Sequence, residues 1–208
     1  MSNIFDKLKA LRVVPVIVID DPSKSAPLGK ALIEGGLPCA EITFRTANAA
    51  EAIREMTKAH PDMFVGAGTV LTPAQADAAI EAGAKFIIAP GLNPEVVRHC
   101  QQKGVPMLPG VITPSEIELA LSLGLDTVKF FPAEAAGGTN MLKSLSGPYR
   151  NVKFVPTGGI SPKNLGEYLS IKSVIACGGS WMVKEDLINS GNFEEIKKLT
   201  AEAVELSK

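Results

Sequence analysis

A short apolar, β-branched run followed by an amphipathic stretch recurs eight times along this chain, at a spacing of about 20–25 residues. The runs span 13–19, 39–45, 64–69, 86–90, 107–111, 126–132, 153–157 and 174–177. Helical patterns follow them, ending near 34 and covering 48–58, 73–82, 94–102, 114–123, 140–145 and 164–169, with a terminal helix from about 193. Successive parallel strands need a crossover that returns the chain, so buried strands alternating with helices imply a parallel sheet. Eight such units suggest a closed (β/α)8 barrel, with an additional N-terminal helix in the amphipathic stretch MSNIFDKLKALR. An open doubly wound sheet is the alternative. No linker or composition shift divides the chain, so 1–208 reads as one barrel domain.

Composition narrows the partners. The formal net charge of −1 gives no support for nucleic-acid binding. The longest apolar run, 13–19, has the length of a strand and is interrupted by Pro15, far short of a membrane span. The N-terminal stretch lacks the apolar segment of a secretory signal. Cys39, Cys100 and Cys177 are widely spaced and odd in number, a poor disulfide framework. The expectation is a cytoplasmic protein with buried structural thiols.

The chemistry starts at Asp126-Thr127-Val128-Lys129-Phe130-Phe131-Pro132, which reads as a buried strand with a lysine at its centre. Strand side chains alternate, so Thr127, Lys129 and Phe131 face one way and Val128 and Phe130 the other. An isolated ammonium is costly to bury, so Lys129 is paired, close to water or deprotonated. It either snorkels to solvent from the strand end or serves as an amine nucleophile. On the second strand Glu41, Thr43 and Arg45 share a face, as a site or as a Glu41–Arg45 ion pair filling the barrel top. Gly66, Gly68 and Thr69 close the third strand with a near backbone approach and one hydroxyl. Pro156-Thr157-Gly158-Gly159-Ile160-Ser161-Pro162 and Gly178-Gly179-Ser180 directly follow the last two strands. Barrel phosphate sites are often built from those two loops, whose amides converge on an anion; the alternative is two tight turns with no ligand. His60 and His99 fall on the helix layer, no His/Asp/Glu spacing resembles a metal site, and Trp181 reads as packing at the rim.

Together Glu41-Ile42-Thr43-Phe44-Arg45-Thr46, Val65-Gly66-Ala67-Gly68-Thr69-Val70, Val128 to Glu134, Pro156 to Ile160 and Gly178-Gly179-Ser180-Trp181 resemble the 2-keto-3-deoxy-6-phosphogluconate (KDPG) and 4-hydroxy-2-oxoglutarate (KHG) aldolase family. The resemblance covers nearly the whole chain, with the motifs in order. It implies a metal-free, cofactor-free class I aldolase on a (β/α)8 barrel, usually a homotrimer, acting on a phosphorylated 2-keto acid to release pyruvate. It also implies that Lys129 forms the Schiff base, Glu41 moves protons, and Arg45 and Thr69 meet the pyruvate carboxylate. Phe131, Thr157, Gly158, Gly159, Gly178, Gly179 and Ser180 complete the implied substrate site. The rivals are a phosphosugar isomerase or synthase barrel, and a phosphosugar-binding protein without catalysis.

Overall fold

The computed structural model describes residues 4–208. Residues 1–3, the start of the expected N-terminal helix, lie outside the described residues. The strands are β1 (Val13–Ile17), β2 (Cys39–Thr43), β3 (Phe64–Gly68), β4 (Ile87–Ile88), β5 (Met107–Leu108), β6 (Gly110–Val111), β7 (Thr127–Phe130), β8 (Lys153–Pro156) and β9 (Cys177–Gly179). Every ladder between them is parallel. Hydrogen bonding runs β5-β4-β3-β2-β1-β9 in one sheet and β6-β7-β8 in the other.

Two joints turn these sheets into a ring. Pro109, which has no N–H to donate, divides the fifth strand position into β5 and β6. Its carbonyl still accepts from Lys129 N–H at 2.9 Å. On the other side the bridges Phe154↔Val174 and Thr157↔Gly178 join β8 to the segment carrying β9. The eight expected strand positions therefore close into a barrel rather than an open sheet.

The last strand lies further along than the apolar run 174–177 predicted. Its register with β1 is Val13↔Cys177, Val14↔Gly178 and Pro15↔Gly179. Glycines are poor strand formers by propensity, but a Cβ at Gly178 would lie 2.4 Å from Thr157 Oγ1, so only glycine fits this closing contact. β2 ends at Thr43, β3 at Gly68 and β7 at Phe130, which leaves Arg45, Thr69 and Phe131 just beyond their strand ends. The helix α9 (Glu185–Asn189), absent from the sequence reading, precedes α10 (Phe193–Leu206).

Helix starts follow local chemistry. α4 (Pro73–Glu81), α5 (Pro94–Gln102) and α6 (Pro114–Ser122) each begin with proline behind a capping Thr72, Asn93 or Thr113 whose side chain accepts a backbone N–H. Alternation along the strands then separates two cores. Ile17, Ala40, Ile42, Val65, Ala67, Val128 and Phe130 face the helix layer. Val14, Cys39, Phe64, Phe86, Leu108 and Val155 fill the barrel interior together with Ile4 and Leu8. The last two sit one turn apart on α1 (Ile4–Leu11), so this helix plugs the end of the barrel where the strands begin.

All three cysteines are buried and free. Cys39 belongs to the barrel interior, whereas Cys100 and Cys177 pack towards the helices. Burial pushes the Cys39 and Cys177 thiols up to about 12 and Cys100 up to about 11. Unfolded thiols ionise near about 8.5. Stability contributed by the neutral buried thiols is thus complete below that pH and is lost as the pH rises towards the folded values. A thiol-specific reagent at about pH 8 should leave the native protein untouched and modify all three cysteines after denaturation. A fast-reacting thiol in the native protein would place one of them outside the core.

Candidate active site

Of the polar side chains inside the barrel, Lys129 and Glu41 matter most. Both are nearly fully buried, at 4% and 1% exposure. Lys129 Nζ lies 3.3 Å from Glu41 Oε1. Neither charge is tolerable there without the other, because removing one partner leaves an uncompensated buried ion. Lys129 therefore does not snorkel to solvent. Glu41 pairs with it rather than with Arg45, which overturns the Glu41–Arg45 alternative.

β3 supplies the room for this pair. Glu41 is in register with Gly66, and Thr43 with Gly68. A Cβ on Gly68 would lie 2.2 Å from Glu41 Oε1, and one on Gly66 would lie 2.3 Å from the Phe86 ring. The two glycines expected to mark a close backbone approach do so, and the approaching groups are the protein's own side chains. Thr43, expected on the same functional face as Glu41, is committed elsewhere: its hydroxyl donates to Ile17 O at 2.8 Å. Thr69, the next residue after Gly68, has φ +57. A β-branched residue in the left-handed region costs about 1–3 kcal/mol and persists only where its surroundings enforce it. Its half-buried hydroxyl has no hydrogen-bond partner among the described residues.

Above this pair opens a cavity of about 600 Å³. Arg45, Phe131, Thr157, Gly158 and Gly159 line it together with Gly178, Gly179 and Ser180, so most of the expected substrate residues meet in one place. Lys129, Glu41 and Thr69 are not on its wall. Phe131 is on the wall and also touches the amine: its ring centroid is 5.0 Å from Lys129 Nζ, a cation–π contact. Arg45 is exposed in the turn after β2 and has no ion-pair partner among the described residues. Its guanidinium charge at the cavity wall is therefore uncommitted.

The loop after β8 has an unusual distribution of hydrogen bonds. Thr157 O accepts from Ala133 N–H at 2.8 Å, and Gly158 O from Glu134 N–H at 3.1 Å. Gly159 O accepts from Asn164 Nδ2 at 3.0 Å. Three successive carbonyls are thus tied back. The Gly158 N–H points to Gly178 O in the bridge that closes the barrel, whereas the N–H groups of Gly159 and Ile160 have no hydrogen-bond partner among the described residues. Gly158 and Gly159 adopt φ +99 and +81, which glycine alone reaches without penalty. Two adjacent free amides are a backbone geometry that can receive an anion. Among the described residues no group of three or more His, Cys, Asp or Glu side chains could hold a metal ion.

Some wall residues were not singled out from the sequence. Val16 and Val18 continue the inward alternation of β1, a signal that was available. Lys184, Glu185 and Asp186 come from α9 and its cap, and the unrecognised helix hid them. Trp181, read as rim packing, is also a cavity wall; it lies against Gly179, where a Cβ would be 1.8 Å from its ring.

A buried amine beside a carboxylate, near the strand ends of a parallel barrel and a loop with free amides, is an arrangement that can attack a carbonyl. Relatives with known activities narrow this class. The family model for KDPG and KHG aldolase matches residues 4–199. The 2-dehydro-3-deoxy-phosphogluconate aldolase of Treponema pallidum (strain Nichols) is 48% identical over 206 residues, covering 99% of this chain and 98% of that protein. The KHG/KDPG aldolase of Escherichia coli (strain K12) is 46% identical over 196 residues, covering 94% and 92%. Among solved structures, KDPG aldolase from Legionella pneumophila, with pyruvate captured at low pH as a covalent carbinolamine intermediate, superposes with a TM-score of 0.93 at 42% identity, covering 98% of this chain and 99% of that one. The aldolase of Zymomonas mobilis ZM4 with 3-phosphoglycerate gives 0.89 at 41% identity, covering 97% and 95%. The chain belongs to the KDPG and KHG aldolase family.

The fit of Glu41 against Gly68 allows a test that alters neither member of the buried pair. Gly68→Ala should displace the carboxylate and lower turnover by about 10²-fold, with the circular dichroism unchanged. Turnover at the wild-type rate would mean that the placement of Glu41 is not critical.

Proposed function

We propose that this chain is a class I aldolase cleaving 2-dehydro-3-deoxy-6-phosphogluconate to pyruvate and glyceraldehyde 3-phosphate, with 1–208 acting as one barrel domain. The observation that carries this reading is the buried Lys129–Glu41 contact of 3.3 Å. Lys129, having passed a proton to Glu41, attacks the C2 ketone to form a carbinolamine. Glu41 returns a proton to the departing hydroxyl, and loss of water leaves an iminium. The C3–C4 bond electrons then flow into that cation while Glu41, directly or through a water, accepts the C4 hydroxyl proton. Glyceraldehyde 3-phosphate leaves, the enamine is protonated at C3, and water hydrolyses the iminium to release pyruvate.

The other residues serve the two ends of the substrate. The uncommitted Arg45 offers a bidentate fork to the pyruvyl carboxylate, and the strained Thr69 adds its free hydroxyl. Phe131 packs on the reacting amine and the bound ketone. Thr157, Gly158, Gly159, Gly178, Gly179 and Ser180 receive the phosphate. Support comes from the carbinolamine captured in the Legionella enzyme and the phosphorylated ligand in the Zymomonas one.

A second activity, cleavage of 4-hydroxy-2-oxoglutarate to pyruvate and glyoxylate, fits the same amine–carboxylate pair, because the pyruvyl half is common to both substrates. The E. coli relative carries both names. We further read the protein as a cytoplasmic homotrimer; among the described residues no helix is long and apolar enough to cross a membrane.

Borohydride reduction with pyruvate, in the presence of a chelator, should leave a stable adduct on Lys129 in peptide mass analysis. Absence of an adduct on any lysine, despite pyruvate binding, would return the choice to the isomerase or binding-protein alternatives. Lys129→Ala should lose turnover and trapping together. Glu41→Gln should slow turnover by about 10²–10⁴-fold with the fold intact, and normal turnover would remove Glu41 from the mechanism.

A further inference from the structure

The glycine loop after β8 is held from outside the cavity by groups with no part in the chemistry. α8 (Leu165–Leu169) begins shortly after the loop and carries Tyr168, which is fully buried. The Tyr168 hydroxyl donates to Glu134 Oε1. Glu134 lies in the turn between β7 and α7 (Gly138–Ser146), the same turn whose Ala133 and Glu134 N–H groups hold the carbonyls of Thr157 and Gly158. The Glu134 side chain occupies space beside Gly159 that a Cβ there would close, and it lies near Gly138. A Cβ on Gly159 would lie 2.6 Å from Glu134 Cγ, and one on Gly138 would lie 3.3 Å from Glu134 Oε1 and 3.5 Å from the Tyr168 hydroxyl.

We infer that Glu134 and Tyr168 form a latch that keeps the Gly158–Gly159 loop in its anion-receiving shape and thereby sets the preference for a phosphorylated aldehyde half. The inference rests on the phosphate-loop reading above. Two left-handed glycines in succession have more conformational freedom to lose than any other pair, so their arrangement needs external support. If the Thr157 or Gly158 carbonyl came loose, it could turn towards the cavity and oppose a phosphate instead of leaving the amides free. The latch also restrains a charge. Glu134 is otherwise solvent-exposed and adjoins the loop, and a free carboxylate there would repel the ligand. Burial, followed by the hydrogen bond to Glu134, raises the Tyr168 hydroxyl above the usual phenol range, so it remains a donor. Both are positioning residues, and neither lines the cavity.

Tyr168→Phe keeps the buried ring and removes only the donor. Loss of one hydrogen bond to a carboxylate predicts an affinity for inorganic phosphate weakened about tenfold by calorimetry, and KM for the phosphorylated substrate raised by a similar factor with kcat within about twofold. Borohydride trapping of pyruvate on Lys129 should stay at the wild-type rate. Glu134→Gln, which retains shape and an acceptor, should show a smaller shift in the same direction. Unchanged phosphate affinity and KM in Tyr168→Phe would overturn the latch, as would a parallel fall in pyruvate trapping, which indicates general loosening of the barrel. Wild-type protein that traps pyruvate but does not bind phosphate would overturn the loop reading and the latch together. Failure of wild-type trapping would instead sink the aldolase mechanism, leaving the phosphate measurement to judge the latch.

Discussion

Burial of one ammonium against one carboxylate governs the upper half of this barrel. The Lys129–Glu41 pair sits where an ordinary barrel would place branched aliphatic residues, so it does not stabilise the fold as apolar packing would. What it provides is an amine held in contact with a carboxylate in a nearly closed interior. Much nearby follows from accommodating it. Gly68 lacks a side chain because Glu41 needs the volume, and the Phe131 ring covers the amine on the cavity side.

The lower half is built on the opposite principle. Ile4 and Leu8 of the N-terminal helix close an interior of Val14, Cys39, Phe64, Phe86, Leu108 and Val155. The same strands carry both zones: β2 places Cys39 in the apolar floor and Glu41 in the polar layer two residues later. β8 carries Val155 in the floor and leads directly into the glycine loop. A parallel barrel makes this separation natural, since all strands begin at one end and finish at the other. The tied carbonyls of Thr157, Gly158 and Gly159 extend it past the strand ends, turning backbone amides into the polar surface of the cavity.

How legible each part was depended on the range of the interaction behind it. The split at Pro109 and the threonine and asparagine helix caps were not read from the sequence, although both are local chemistry that a few residues carry. The inward direction of Glu41 and Lys129 followed from strand alternation. Alternation could not reveal that Thr43 would give its hydroxyl to Ile17 O, 26 positions away, or that Arg45 would lie beyond the strand end. The position of β9 was misplaced for a related reason. Apolar content pointed to 174–177, whereas closure against β1 and Thr157 selected the glycines.

By itself the sequence determined the number and order of strand–helix units, hence the parallel barrel, and which residue types each strand end presents. It also carried the motifs that tie the chain to its family. Tertiary structure alone decided that Glu41 meets Lys129 across 88 positions, that Tyr168 reaches Glu134 across 34, and that loops from distant units share one cavity. The physical reason is that periodicity and capping act over a turn or a strand, whereas pairing of buried charges depends on how the ring closes. Closure is set by all the strands at once.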